Sequence, residues 1–203
     1  MSDDQDLAAL LGSRICHDLI SPLGAIGNGV ELLMLDSGPA RPEVTLIAQS
    51  VASAAARVRF LRVAFGVAGD DQRQGRPELL ALLRDWTDGG RLSVDWQVTG
   101  DHPRPDVRRA LLALLCLESV LPFGGTVTVT RDSSLWQARA EGRRLRVEPP
   151  LWSLLTDPGA SLALTAPQVQ FGLLRRDLLA GPGLGGVSQS ETSLTLTWGT
   201  GKG

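Results

Sequence analysis

Apolar residues return every three or four positions at Leu7, Leu11, Ile15, Leu19, Leu23, Ile26, Val30 and Leu33, a single stripe along one long helix. The run Asp36-Ser37-Gly38-Pro39 stops it. Beyond Pro42 the series Val44, Ile47, Val51, Ala54, Val58, Leu61 and Phe65 alternates three and four without a break, which is the heptad seam of a helix packed along another. Together they predict an antiparallel helical hairpin. A lone hairpin buries only one side of each seam, so the expectation is that two copies pair into a four-helix bundle. The alternative is that the hairpin packs on the rest of its own chain.

A polar, Gly-containing stretch at 69–76 closes on Pro77 and predicts a linker between a domain at 1–68 and a second at 77–203. Downstream, the pattern alternates helix and strand. A short amphipathic helix is expected at 78–88, a strand at 92–98 and a leucine-rich helix at 105–121. Gly124-Gly125 then opens a meander of three strand-like segments at 126–130, 135–140 and 145–148. Helical patches at 150–155 and 166–179 precede a last strand at 193–198. The order predicts an α+β chain whose second part is an α/β sandwich, one mixed sheet covered on one face by helices. Trp86, Trp96, Trp136, Trp152 and Trp198 are expected mostly in its core.

Charge narrows the partners. Twenty Lys and Arg stand against 22 Asp and Glu among 203 residues, with an isoelectric point near 5.7, so no basic field exists to attract nucleic acid or an anionic membrane. The start, Met1-Ser2-Asp3-Asp4-Gln5-Asp6, is acidic where a signal peptide is basic and apolar, and no run reaches about 18 uninterrupted apolar residues. A cytoplasmic protein is the expectation. Cys16 and Cys116 sit in apolar helical patterns, where a thiol behaves as a small hydrophobe. His17 and His102 are the two histidines, and no Cys/His group has metal-ligand spacing.

His17 lies two residues from both Ile15 and Leu19, about 200° round the helix from each and so off the apolar stripe. Its neighbours at helical spacing, Ser13, Arg14, Ser21, Gly24 and Asn28, are polar or small, which leaves an open face for another protein. Neutral imidazole is a good nucleophile near pH 7, and a phosphorylated ring nitrogen passes its group readily to a carboxylate. Asp18 is placed to orient or deprotonate the ring, and Arg14 to attract phosphoryl oxygens. Pro22 removes a helical hydrogen bond and bends the axis, presenting the preceding turn. An isolated exposed histidine is usually an ordinary surface residue, so the surrounding string decides the matter.

That string, Ser13-Arg14-Ile15-Cys16-His17-Asp18-Leu19-Ile20-Ser21-Pro22-Leu23-Gly24-Ala25-Ile26-Gly27-Asn28-Gly29-Val30-Glu31-Leu32-Leu33, resembles the first helix of the ChpT-type histidine phosphotransferases of alphaproteobacteria. It is more distantly similar to the phosphoacceptor box of sensor histidine kinases. The resemblance is close over about residues 5 to 35 and holds in layout beyond. It implies that His17 is the phosphoacceptor and that Asp18, Ser21 and Asn28 belong to its motif; Ser13, Arg14, Ser21 and Asn28, on the open face, are expected to meet the partner. It further implies a homodimeric bundle that relays phosphate from the receiver domain of a hybrid kinase to response regulators. Residues 77–203 are then a degenerate kinase ATP-binding domain.

Three features speak against nucleotide. Kinases of that kind resemble one another in a Mg²⁺-holding asparagine on the first long helix of the ATP domain, but the helix at 105–121 has none, and Asn28 is the only asparagine in the chain. The adenine box is reduced to Asp157-Pro158-Gly159-Ala160-Ser161. Gly181, Gly183 and Gly185 follow a helix and enter the last strand, whereas a phosphate cradle opens a helix N-terminus, so they read as a turn. The expectation is a transferase with no cofactor of its own, Mg²⁺ coming with the receiver. A non-catalytic dimeric adaptor and an ATP-dependent sensor kinase core are the alternatives. His102, in Gly100-Asp101-His102-Pro103, is expected at the surface.

Overall fold

The computed structural model describes residues 42–66 and 71–200, with positions 14, 15, 18, 19, 22, 24–26, 28, 29 and 32 before them. All of those earlier positions are helical, Pro22 among them. They run alongside helix α1, Pro42–Phe65. Gly29 is where the two helices close: a Cβ there would stand 2.5 Å from Ile47 Cγ1 and 3.2 Å from the Glu43 carbonyl, so only glycine permits the approach.

Helix α1 uses its seam unevenly. Phe60, Leu61 and Ala64 are buried in the core of the second unit, with the Phe60 ring stacked 4.0 Å from Trp86. Val44, Val51 and Val58, seven residues apart, remain 44%, 49% and 41% exposed. The end of the hairpin thus packs on its own chain, and the stretch before it presents an apolar stripe to solvent.

The second unit contains helices α2 (Arg76–Thr87), α3 (Arg104–Glu118), α4 (Pro149–Ser153) and α5 (Val169–Ala180). Its strands are β1 (Arg73–Gln74), β2 (Leu92–Trp96), β3 (His102–Pro103), β4 (Gly125–Arg131), β5 (Leu135–Glu141), β6 (Gly186–Gln189) and β7 (Ser193–Gly199). Pro77, Pro105 and Pro149 each stand in a first helical turn, where the missing amide is no loss. The main sheet has the order β2-β4-β5-β7-β6, with β2 parallel to β4 and the other pairs antiparallel. Register puts Val127 opposite Ala140, Val129 opposite Ala138, Trp136 opposite Trp198 and Ala138 opposite Leu196, all buried on one face. Threonines 126, 128, 130, 195 and 197 line the other.

That buried face is covered by α3, with α1 and α5 beside it and α2 packed between α1 and β2. The mixed sheet, the helical cover and the positions of the long elements follow the sequence pattern, and all five tryptophans are buried. Cys116 is a free thiol inside α3, and burial pushes it well above its ordinary value, leaving it inert. Cys16 lies outside the described residues. At the turn into β4, Gly124 takes φ +83°, and a Cβ would stand 2.3 Å from the Arg91 carbonyl oxygen, so the turn requires glycine.

Three differences from the expected layout have physical causes. Residues 145–148 form no strand: Leu145 and Val147 alternate because they lean on the core from an extended segment, which the Arg146 N–H anchors to the Val120 carbonyl at 3.0 Å. The meander therefore ends after β5, whose next neighbour is β7. Strands β1 and β3 pair over two residues each, too short for any periodicity, and β1 falls inside the expected linker. Strand β6 lies between the glycine run and the last strand, with one half-buried residue, Val187, and no alternation to betray it.

Candidate functional site

Asp18, expected beside the nucleophile, is a buried carboxylate, its side chain 5% exposed. One turn upstream on the same helix, Arg14 donates from Nε to Asp18 Oδ2 at 2.8 Å. From α1 across the hairpin, Arg57 Nε stands 3.3 Å from the same oxygen. That contact is an ion pair rather than an aligned hydrogen bond, since the Arg57 Nε–H has no hydrogen-bond acceptor. The Arg57 fork also reaches forward, with Nη2 3.8 Å from Glu118 Oε1 at the last residue of α3. Burial pushes the Glu118 carboxyl above its ordinary range, with Asp18 adding in the same direction and Arg57 and Arg14 opposing. The four charges join both helices of the hairpin to the second unit.

The remaining predicted site residues divide. His17, Ser13 and Ser21 lie outside the described residues. Asn28 is exposed on the helix, and Gly24 is exposed with open space around it. Arg14 turns its guanidinium inward to Asp18. Arg57 and Glu118 were not singled out from the sequence. The available signals were weak: an arginine directly beside seam position Val58, and an acidic residue closing an otherwise apolar helix end.

His102 departs from expectation. It is buried, 8% exposed, with its ring edge-on to Trp136 at 5.4 Å between centroids. Its Nε2 lies 2.9 Å from the Thr99 carbonyl and its Nδ1 3.1 Å from Arg131 Nη1. A carbonyl only accepts and a guanidinium only donates, so Nε2 carries the proton and the ring is a neutral structural link. The pairing of β3 with β1 draws His102 inward, which no sequence period announced.

The two loops that resemble nucleotide boxes are closed on themselves. The Gly183 N–H donates to the Leu178 carbonyl at 2.8 Å and the Gly185 N–H to Leu155 at 2.9 Å, so Gly181 to Gly185 form a turn between α5 and β6. Asp157 Oδ1 accepts from the Gly159 N–H at 2.8 Å, and Arg175 holds the Leu154, Asp157 and Pro158 carbonyls. Before α5, Thr165 and Gln168 cap one another around Pro167. A cavity of about 150 Å³ lies between Val120, Arg146, Trp152, Gln168 and Phe171, against roughly 300 to 1,000 Å³ for ordinary small-molecule sites. Among the described residues, no three His, Cys, Asp or Glu converge to hold a metal ion.

Residues 76–180 match the family described as histidine phosphotransferase C-terminal domain. The chain is 35% identical over 171 residues to the protein phosphotransferase ChpT of Brucella abortus (strain 2308), covering 81% of each. It is also similar to a solved structure of a bacterial phosphotransferase, at 28% identity and a TM-score of 0.77 over 96% of both chains.

Proposed function

The chain belongs to the histidine phosphotransferase family, of the ChpT type, and on that premise we propose that His17 carries the phosphoryl group. The observation that carries this assignment is the Asp18 carboxylate, next to His17 in the chain and held by arginines from both helices of the hairpin. A nitrogen of the neutral His17 ring attacks the phosphorus of a receiver's aspartyl phosphate. The N–P bond forms as the P–O bond breaks, and the receiver carboxylate leaves with the bonding pair. The proton on the other ring nitrogen then passes to Asp18 or to water. Delivery to a second receiver reverses these steps.

The receivers are those of a hybrid kinase upstream and of response regulators downstream, and they bring the carboxylates and the Mg²⁺ that phosphoryl transfer needs. This chain contributes a nucleophile and a face, with Ser13, Ser21 and Asn28 on the partner's side and Arg14 turned inward to hold Asp18. Residues 77–203 work without nucleotide. The amides of Gly183 and Gly185 bonded within the fold and the self-capped Asp157 turn support that reading.

Two copies pair along the hairpin into a four-helix bundle. Val44, Val51 and Val58 support this, because a heptad-spaced stripe left open on one copy is what a second copy covers. Helix α1 is long and apolar enough to cross a membrane, but its Arg57 and Arg59 are ion-paired to Asp18, Glu118 and Asp85, which supports packing in water and a cytoplasmic place.

The protein is incubated with labelled ATP alone, then with ATP, a hybrid kinase and its receiver. Label on the protein is expected only in the second mixture and not at all in His17→Ala. Label from ATP alone would make the chain a kinase. Relay that survives His17→Ala would leave an adaptor.

A further inference from the structure

We infer that Arg57 is a positioning residue for phosphoryl transfer, holding the Asp18 carboxylate from α1 and tying its placement to Glu118 of the second unit. The inference rests on His17 being the acceptor and adds a residue from outside the acceptor helix. Asp18 is buried, and an unpaired carboxylate in that position would be expensive to keep ionised. Arg14 meets it along the helix axis, where a one-turn pair fixes little beyond the helix itself. Arg57 meets the same oxygen from across the hairpin and so fixes the side chain against a second element.

The forward contact gives Arg57 its own support. Its Nη2 lies 3.8 Å from Glu118, which ends α3, the helix most deeply packed in the molecule. Among the described residues, the charged groups at this junction include Arg14 and Asp18 on the acceptor helix, Arg57 on α1 and Glu118 on α3. Arg57 lies within ion-pair distance of two carboxylates, one on the acceptor helix and one on the second unit. A guanidinium spreads its charge over a planar fork wide enough to lie within ion-pair distance of both, whereas an ammonium is a point charge. Asp18 therefore takes its position from the second unit as well as from its own helix, which gives a domain read here as nucleotide-free a part in the transfer step.

The full-length protein is tested for the single-turnover rate of transfer from a phosphorylated receiver and for affinity to that receiver. Arg57→Ala is expected to slow the transfer step about tenfold, the scale of a small misplacement of a catalytic group, with receiver affinity within about twofold. Arg57→Lys recovers part of the rate. In the double variant Arg57→Ala with Asp18→Asn, the rate is no lower than in Asp18→Asn alone, because the arginine acts through that carboxylate. A merely structural arginine gives the opposite result, with losses that add and an affinity that falls with the melting temperature. An unchanged rate in Arg57→Ala, while His17→Ala abolishes transfer, overturns this inference and leaves the acceptor assignment standing. Transfer that persists in His17→Ala removes both. If Arg57→Ala does not fold, Arg57→Lys takes its place in the cycle with Asp18→Asn, and additive losses there overturn the inference.

Discussion

Helices α1 and α3 are drawn from similar apolar stock and put to opposite uses. Twelve of the fifteen residues of α3 are buried, including Asp106, Arg108 and Arg109. Only five of the 24 in α1 are, and three of those lie in its last six residues. Helix α3 is wrapped by the sheet, α1 and α5 and pairs buried charges, Arg109 with Asp106 and Arg108 with Asp177. Helix α1 is anchored at one end and open along the rest. The contrast teaches that a continuous hydrophobic period fixes a helix and its apolar side but leaves open whether its own chain or another covers that side.

Truncation at the two ends of α1 separates them most sharply. Phe60→Ala removes a fully buried ring stacked on Trp86 and should cost about 3–5 kcal/mol of stability. Val51→Ala, half-exposed on the same helix, should change it by less than about 0.5 kcal/mol in the separated chain. Denaturant titration at concentrations low enough to keep the chain monomeric reads both, and similar losses would erase the contrast.

A charge on the open stripe gives the next largest effect. Val51→Glu sets like charges against each other wherever two copies pair through this helix and should weaken self-association about a hundredfold, roughly 3 kcal/mol. Sedimentation of the variant against the parent checks this. An unchanged association constant would place the dimer contact elsewhere or remove it.

The two helices also show why the chain was partly legible. A period of three and four over the 24 residues of α1 and a leucine-rich run over the 15 of α3 survive any local accident, so these helices and the alternating strands β4, β5 and β7 stand out in the sequence. Strands of two residues have no period, and β1, β3 and the inward turn of His102 depend on a partner brought from some 30 positions away. Residues 145–148 mislead for the converse reason, since alternate burial against a helix end writes the same pattern as a strand. At the candidate site, Asp18 is legible through its neighbour in the chain, whereas the approach of Arg57 to it, and of Glu118 to Arg57, is set wholly by packing.

Glu118→Gln probes the point where the two helices meet. Burial raises the Glu118 carboxyl above its ordinary 4.5, so the folded state binds more proton than the unfolded chain as pH rises through that value. Stability from this group is thus complete below about pH 4 and declines as pH rises. Glutamine removes the dependence, and the variant should gain on the parent in denaturant midpoints as pH rises above about 4.5, until the folded carboxyl has itself ionised. Parallel curves would mean that the carboxyl, whose side chain is 30% exposed, is effectively solvated.

The smallest effect is expected where α1 meets α2 in the open. Arg59 Nη2 lies 3.0 Å from Asp85 Oδ2, but both side chains are about half exposed, and such pairs contribute roughly 0.2–1 kcal/mol because water and salt screen them. Arg59→Ala should therefore move the denaturant midpoint little, and 0.5 M salt should remove most of the difference from the parent. A loss as large as that of Phe60→Ala would mean that charge, rather than the Phe60–Trp86 stack, fastens the hairpin to the second unit. The anchored end of α1 would then be a salt-sensitive joint, and its division from the open stripe would follow ionic strength instead of burial.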